Sequence, residues 1–248
     1  MQRFFVETYQ IEEENHCIHV TGADVNHIKN VLRMKPGEEI AVSNGIDGRE
    51  YRCQIEEISA QSIVCRLRFI KEDGLELPSR VYLFQGLPKA DKMELIIQKA
   101  VELGAYEIIP VAAKRCVVKL DAKKEKSRLE RWQGIAQAAA KQSKRRIVPN
   151  VHGVMTMAQA LAYAEEMDCK LIPYELAEGM EQTKQLISGI QPGQSIAVFI
   201  GPEGGFEESE IAAAKKKGVL PVTMGRRILR TETAGFTMLA WIMYHLES

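Results

Sequence analysis

From Arg80 onward, short apolar runs alternate with segments whose apolar residues recur every three to four positions. A chain patterned this way buries both kinds of face by laying helices against a largely parallel sheet. Strands are expected at residues 81–85, 108–111, 170–173, 195–200 and 219–223, and helices at 89–103, 124–142, 157–166, 181–188, 207–217 and 232–246. The helix at 89–103 carries Met93, Ile96, Ile97, Ala100 and Val101 as one apolar stripe, with Lys92, Lys99 and Glu102 opposite and Gly104 as its stop. The last helix has Phe236, Met238, Leu239, Trp241, Ile242, Met243 and Tyr244 and no polar face. Burial on all sides is therefore expected of it, partly against a second subunit.

Residues 1–72 follow a different pattern. Strands are expected at 3–6, 17–20, 39–43, 50–58 and 62–70, around one helix at 23–34, with turns at Lys35-Pro36-Gly37 and Asp47-Gly48. That is the pattern of a small barrel. The polar Lys71-Glu72-Asp73-Gly74 marks the boundary, so two domains are expected, 1–72 and 73–248. No run approaches the roughly 18 apolar residues of a membrane span, and MQRFFVETYQ lacks the apolar stretch of an export signal. Five widely spaced cysteines show no metal-binding spacing. The expectation is a cytoplasmic protein with reduced thiols, no metal and no membrane contact.

Net charge is zero, but its distribution is uneven. Residues 1–72 carry −3, 73–150 carry +7 and 151–248 carry −4. Lys114 to Arg146 holds 12 basic and 3 acidic residues, a field that suits either a polyanion or a solvated helix face.

Two loops stand out. Ile200-Gly201-Pro202-Glu203-Gly204-Gly205-Phe206 joins an apolar strand to a helix, at the carboxyl end of a strand where ligands of open α/β sheets sit. It matches neither the P-loop nor the dinucleotide-binding glycine pattern. Met224-Gly225-Arg226-Arg227-Ile228-Leu229-Arg230-Thr231-Glu232 joins a short strand to the last helix. Thr231 is the expected N-cap there, which places Glu232 in the first turn.

FIGPEGGF followed by MGRRILRTETA, both near the C-terminus, resembles the ribosomal RNA small-subunit methyltransferase E family, a branch of the SPOUT superfamily. RFF with HIKNVLRMKPGEEI resembles that family's PUA-like domain, and KADKMELIIQKAVELGAYEIIPV with KQSKRRIVP resembles the start of its catalytic domain. Two departures are minor: Met224 replaces the usual leucine, and Glu207 stands where a capping serine is common. The resemblance implies an α/β fold, a SPOUT-type trefoil-knotted methyltransferase domain with an N-terminal PUA-like β-barrel. It also implies a homodimer with the site at its interface, and methyl transfer from S-adenosylmethionine to N3 of a specific uridine in 16S ribosomal RNA of the small ribosomal subunit. S-adenosylhomocysteine would be the product.

Residue roles then follow as expectations. The cofactor would meet backbone groups of Pro173, Tyr174, Glu175 and Leu176, of Gly201, Glu203, Gly204 and Gly205, and of Met224, Gly225 and Thr231, with Ile200, Ile228 and Leu229 lining an adenine slot. Arg230 would stabilise the developing oxyanion, and Glu232 would serve as base or orient Arg230. RNA contacts are expected from Arg3, Arg33 and Lys35, and from Lys89, Lys92, Lys99, Arg115, Gln142, Ser143 and Arg145. The competing readings are a SPOUT enzyme acting on another ribosomal or transfer RNA base, and a non-catalytic RNA-binding assembly factor.

Overall fold

A computed structural model of the chain describes every residue except Asp73, Lys119, Leu176 and Glu178, so the expectation for Leu176 lies outside the described residues. The chain divides into two compact units: Met1–Glu76 with Ala140–Val148, and Leu77–Ala139 with Pro149–Ser248.

The first unit is built on β1 (Arg3–Phe5), β2 (Ile11–Glu12), β3 (Cys17–Thr21), β4 (Glu39–Ser43), β5 (Glu50–Ile58) and β6 (Ser62–Lys71). These form one sheet in the order β1-β4-β5-β6-β3-β2. β1 pairs with β4 in parallel and the other pairs are antiparallel. The small barrel expected from the sequence is an open one: β1 and β2 do not pair among the described residues, so the sheet has two free ends. Irregular register at Arg52/Cys53 and Ile55/Glu57 bends β5, and one face closes over Ile18, Val20, Ile28, Ile40, Val42, Tyr51 and Ile63.

The helix expected at 23–34 is also altered. It forms only α1 (Ala23–Asn26) before widening into a π-helical turn, His27–Val31, with Leu32 N–H donating to His27 O at 2.8 Å.

Ala140–Val148, read in the sequence as part of the second domain, belongs to the first unit. Long-range polar contacts hold it there. Glu76 accepts from the Arg145 guanidinium, from Arg146 N–H at 2.9 Å and from Ile147 N–H at 3.2 Å. Arg146, 2% exposed, donates to Lys71 O at 2.9 Å, and Arg3 donates to Lys144 O and pairs with Glu50. Glu76→Gln should lower the unfolding free energy by about 2 kcal/mol, toward the low end for a broken buried ion pair because Glu76 keeps some solvent contact. A urea midpoint equal to that of the parent chain would show that the pair contributes nothing.

The second unit is a seven-stranded parallel sheet of β7 (Arg80–Gly86), β8 (Glu107–Ala112), β9 (Asn150–Val151), β10 (Met155–Thr156), β11 (Cys169–Pro173), β12 (Ser195–Ile200) and β13 (Leu220–Val222). The order is β10-β8-β7-β12-β11-β13, with β9 also on β8. Helices α2 (Lys92–Glu102), α3 (Ala122–Gln142), α4 (Met157–Tyr163), α5 (Met180–Ser188), α6 (Glu208–Lys216) and α7 (Thr231–Leu246) complete the expected alternation. A core of Phe84, Ile109, Val111, Ile172, Ala197, Phe199 and Ile211 fills one side of the sheet, with Phe84 and Phe199 stacked at 4.4 Å. α7 packs on α2, α5 and β12. It buries Gly235, Met238, Leu239 and Ile242, while Tyr244 is 76% exposed and Phe236, Trp241 and Met243 are half-buried. The burial on all sides expected for this helix is therefore absent within the chain.

Candidate active site

Three neighbouring strands end at the same place. β12 stops at Ile200, β11 at Pro173 and β13 at Val222, and the segments that follow enclose a cleft of about 710 Å³, a volume suited to a small molecule. Glycine makes this packing possible. A Cβ on Gly86, the last residue of β7, would lie 2.6 Å from Pro202, and one on Gly201 would lie 3.1 Å from Gly205. Gly205 and Gly225 have φ of +66° and +94°, which side chains disfavour.

The two sequence motifs are tied together at their roots. The Thr231 hydroxyl donates to Gly201 O at 2.6 Å and accepts from buried Gln85 Nε2 at 2.9 Å. Thr231 is consequently not the N-cap. Arg230 holds that position without a side-chain cap bond, and Thr231 is the first helical residue. Thr183, on α5, accepts from Thr223 N–H and donates to Thr223 O, both at 3.1 Å, and fixes the start of the second loop. Glu207 does cap α6, reciprocally with Glu210, whose other oxygen accepts from Lys114 N–H at 2.9 Å.

A charged cluster sits on the cleft wall. Lys92 Nζ lies 3.2 Å from Glu203 Oε1 and 3.2 Å from Glu232 Oε2. Glu203 also accepts from Lys89 N–H at 3.1 Å. Burial pushes the Glu203 carboxyl up, but backbone N–H groups and the Lys92 ammonium outweigh it and hold the group below the usual carboxylate value. Glu232 Oε2 is buried and makes no aligned hydrogen bond.

Proteins of known kind share this arrangement of sequence. The RNA methyltransferase domain family matches residues 75–243, and the RNA methyltransferase PUA domain matches 20–68. A ribosomal RNA small subunit methyltransferase E of Bacillus subtilis is 40% identical over 256 aligned residues, spanning 100% of this chain and 98% of that protein. The chain belongs to the ribosomal RNA small subunit methyltransferase E family. A crystal structure of the Neisseria gonorrhoeae member bound to S-adenosylmethionine is 30% identical, with a TM-score of 0.82 over 98% of this chain and 97% of that one. A crystal structure titled only as a hypothetical protein is 40% identical, with a TM-score of 0.90 over 99% of both chains.

In this member of the methyltransferase E family, the cleft gathers Pro173, Tyr174, Glu175, Ile200, Gly201, Glu203, Gly204, Gly205, Met224, Gly225, Ile228, Leu229, Arg230 and Thr231, all singled out by the sequence. It adds Thr223, which carries no motif signal, and Pro202, Phe206, Arg226, Arg227 and Ala234, which lie within the two motifs but had no expected role. Ile228 stands 91% exposed at the cleft rather than enclosed in a slot. Glu232 lies behind the wall and is absent from the lining, whereas Lys92 faces the cleft. Glu232 pairs with Lys92 and not with Arg230, so the expected orienting contact is not made. Arg226, Arg227 and Arg230 are exposed and have no ion pair among the described residues.

The expected RNA contacts divide sharply. Arg115 lines the cleft and donates to Gly204 O at 3.0 Å, and Lys99 pairs with Glu102 at 2.8 Å. In the first unit Arg145 is 4% exposed and held by Glu76, and Arg3 is held by Glu50. These two guanidiniums serve the fold. Ser143 is half-buried, its hydroxyl donating to Ala140 O at 3.4 Å. Arg33, Lys35 and Gln142 in the first unit, and Lys89 in the second, remain exposed.

Proposed function

We propose that this chain transfers a methyl group from S-adenosylmethionine to N3 of a specific uridine in 16S ribosomal RNA. The observation that carries the reading is the convergence of both family motifs, with the end of β11, on one cleft of about 710 Å³. The donor set fits the cofactor. Adenine needs hydrogen bonds along its edge and apolar cover on its faces. Exposed backbone of the three segments can supply the first, and Ile200, Met224 and Leu229 the second. When bound, S-adenosylmethionine supplies a methyl group on a sulfonium, an electrophile needing no metal.

The chain's residues then position and polarise. Methylation at N3 requires the Watson–Crick edge to be free, so the uridine is unpaired or extruded. Loss of the N3 proton spreads negative charge to O2 and O4. Arg230 is the unpaired cation placed to meet that charge, at an α-helix N-terminus that adds to the positive field. Glu232 is held against Lys92 and does not line the cleft, so proton transfer to solvent from a polarised imide takes its place. Of the cations expected to meet RNA, Arg33, Lys35 and Lys89 are exposed without an ion pair among the described residues and remain for phosphate. The first unit, essentially residues 1–72 with Ala140–Val148, acts as the RNA-gripping domain, and the rest of 73–248 as the methyltransferase domain of SPOUT type, knotted at its C-terminal segment. The half-covered face of α7, with Trp241 and Tyr244, supports a homodimer, and the cytoplasm, where small subunits assemble, is the setting.

The test uses cells lacking the protein. An N3 methyl group blocks base pairing, so reverse transcriptase stops at the modified uridine of 16S ribosomal RNA. The stop is expected to vanish in those cells and return on complementation, and the purified chain should bind S-adenosylmethionine by calorimetry. An unchanged set of stops would overturn the reading.

A further inference from the structure

Lys92 opens α2 at a point where three segments meet. Its ammonium reaches Glu203, in the glycine-rich loop, and Glu232, in the first turn of α7, at 3.2 Å each. Those carboxylates belong to the two motifs whose residues line the cleft. Glu203 also accepts from Lys89 N–H, at 3.1 Å and 3.4 Å to its two oxygens. The segment between Lys89 and Lys92 is drawn tightly against the loop, and Ala90 within it has a φ of +53°, a conformation a non-glycine residue holds only when its surroundings enforce it. Without the cation, two carboxylates within reach of a single nitrogen would repel, and Glu232, its side chain only 15% exposed, would be left uncompensated.

We propose that Lys92 is a positioning residue of the cofactor pocket. Its ammonium staples Glu203 to Glu232 and so sets the spacing between the glycine-rich loop and the arginine-bearing loop. This rests on the reading of the cleft as an S-adenosylmethionine site, and it replaces the expectation that Lys92 meets RNA phosphate. Burial draws the Lys92 ammonium down, but its pairing with the Glu203 and Glu232 carboxylates raises it above its ordinary value, so the staple stays charged at neutral pH. The Thr231–Gly201 hydrogen bond joins the same two loops at a second point, and Lys92 itself lines the cleft.

The test is calorimetric binding of S-adenosylmethionine to the full chain, with melting curves to establish folding. Lys92→Met should weaken binding about tenfold, as expected for removal of one member of a coupled charge network, and Lys92→Arg should retain most of the affinity. The informative variant is Lys92→Met combined with Glu203→Gln and Glu232→Gln. Carboxamides do not repel one another, so this variant should recover most of the binding lost by Lys92→Met alone. Wild-type affinity in Lys92→Met overturns the proposal. So does a triple variant as weak as the single one, which would mean that Lys92 acts by direct contact. Weakened RNA affinity with unchanged cofactor affinity also overturns it, in favour of a phosphate role. If the single variant melts at assay temperature, the Lys92→Arg and triple variants decide on the same criteria. Failure of the wild-type chain to bind S-adenosylmethionine would instead remove the functional reading beneath it.

Discussion

Arg230→Ala is expected to lower single-turnover methylation of 16S ribosomal RNA by about 10²–10³-fold, the usual cost of removing one preorganised donor to a developing oxyanion. Cofactor affinity should change little. The argument is one of elimination by contact. Of the cations lining the cleft, Lys92 is held by two carboxylates and Arg115 is bonded to Gly204 O. Arg226, Arg227 and Arg230 have no such partner, and of these Arg230 alone caps a helix, at the N-terminus of α7. A loss of rate at saturating cofactor, with unchanged S-adenosylmethionine affinity, marks an interaction made in the transition state. Glu232→Gln should cost much less, since its carboxylate stands behind Lys92 and outside the cleft lining. Near-normal turnover in Arg230→Ala would end the electrostatic assignment, and a larger loss in Glu232→Gln than in Arg230→Ala would restore Glu232 as the base.

The sheet of the second unit was legible because buried parallel strands read as uninterrupted apolar runs. Ser195–Ile200 is the clearest case, and the loop after it stood out by its glycines, proline and glutamate at the carboxyl end of that strand. What escaped depends on distance or on spacing that sequence does not resolve. β9 and β10 are two residues each, too short to show a period. The apolar spacing of residues 23–34 suits an α-helix and a π-turn equally, so the widening at His27–Val31 left no mark. Ala140–Val148 joins the first unit through Glu76, Lys71 and Gly48, which lie far away in sequence. A run of basic residues looked like an RNA surface when Arg145 and Arg146 were in fact buried counter-ions and backbone donors. The pairing of Lys92 with both Glu203 and Glu232 was hidden for the same reason: each residue was singled out, but only the fold brings them to one point. In α7, composition identified the apolar residues but not which of them the chain itself covers.

Two glycine-to-alanine substitutions should move stability in opposite directions, and the contrast isolates the close approach that shapes the cleft. Gly86 ends β7 beside β12, paired through Gln85 and Ile200, and the loop leaving β12 crosses directly over it. An added Cβ would sit 2.6 Å from both Pro202 Cδ and Pro202 N and 3.0 Å from Gly201 C. These are atoms of backbone and of a rigid ring, which no side-chain rotation relieves. Gly86→Ala should therefore cost about 3 kcal/mol, the upper part of the range for overpacking. It should also weaken S-adenosylmethionine binding by about tenfold or more, because the strand or the glycine-rich loop must shift to make room in a close-packed site. Gly134 is an exposed interior residue of α3 with nothing within 4 Å of its would-be Cβ. Gly134→Ala should stabilise the chain by about 0.5–1 kcal/mol, the backbone entropy glycine gives up in a helix, and leave binding unchanged. Urea unfolding and calorimetry on the two variants settle the matter. If Gly86→Ala keeps both stability and affinity, the loop has slack at Pro202, and the width of the cleft is set elsewhere, by Thr231 and Lys92 alone.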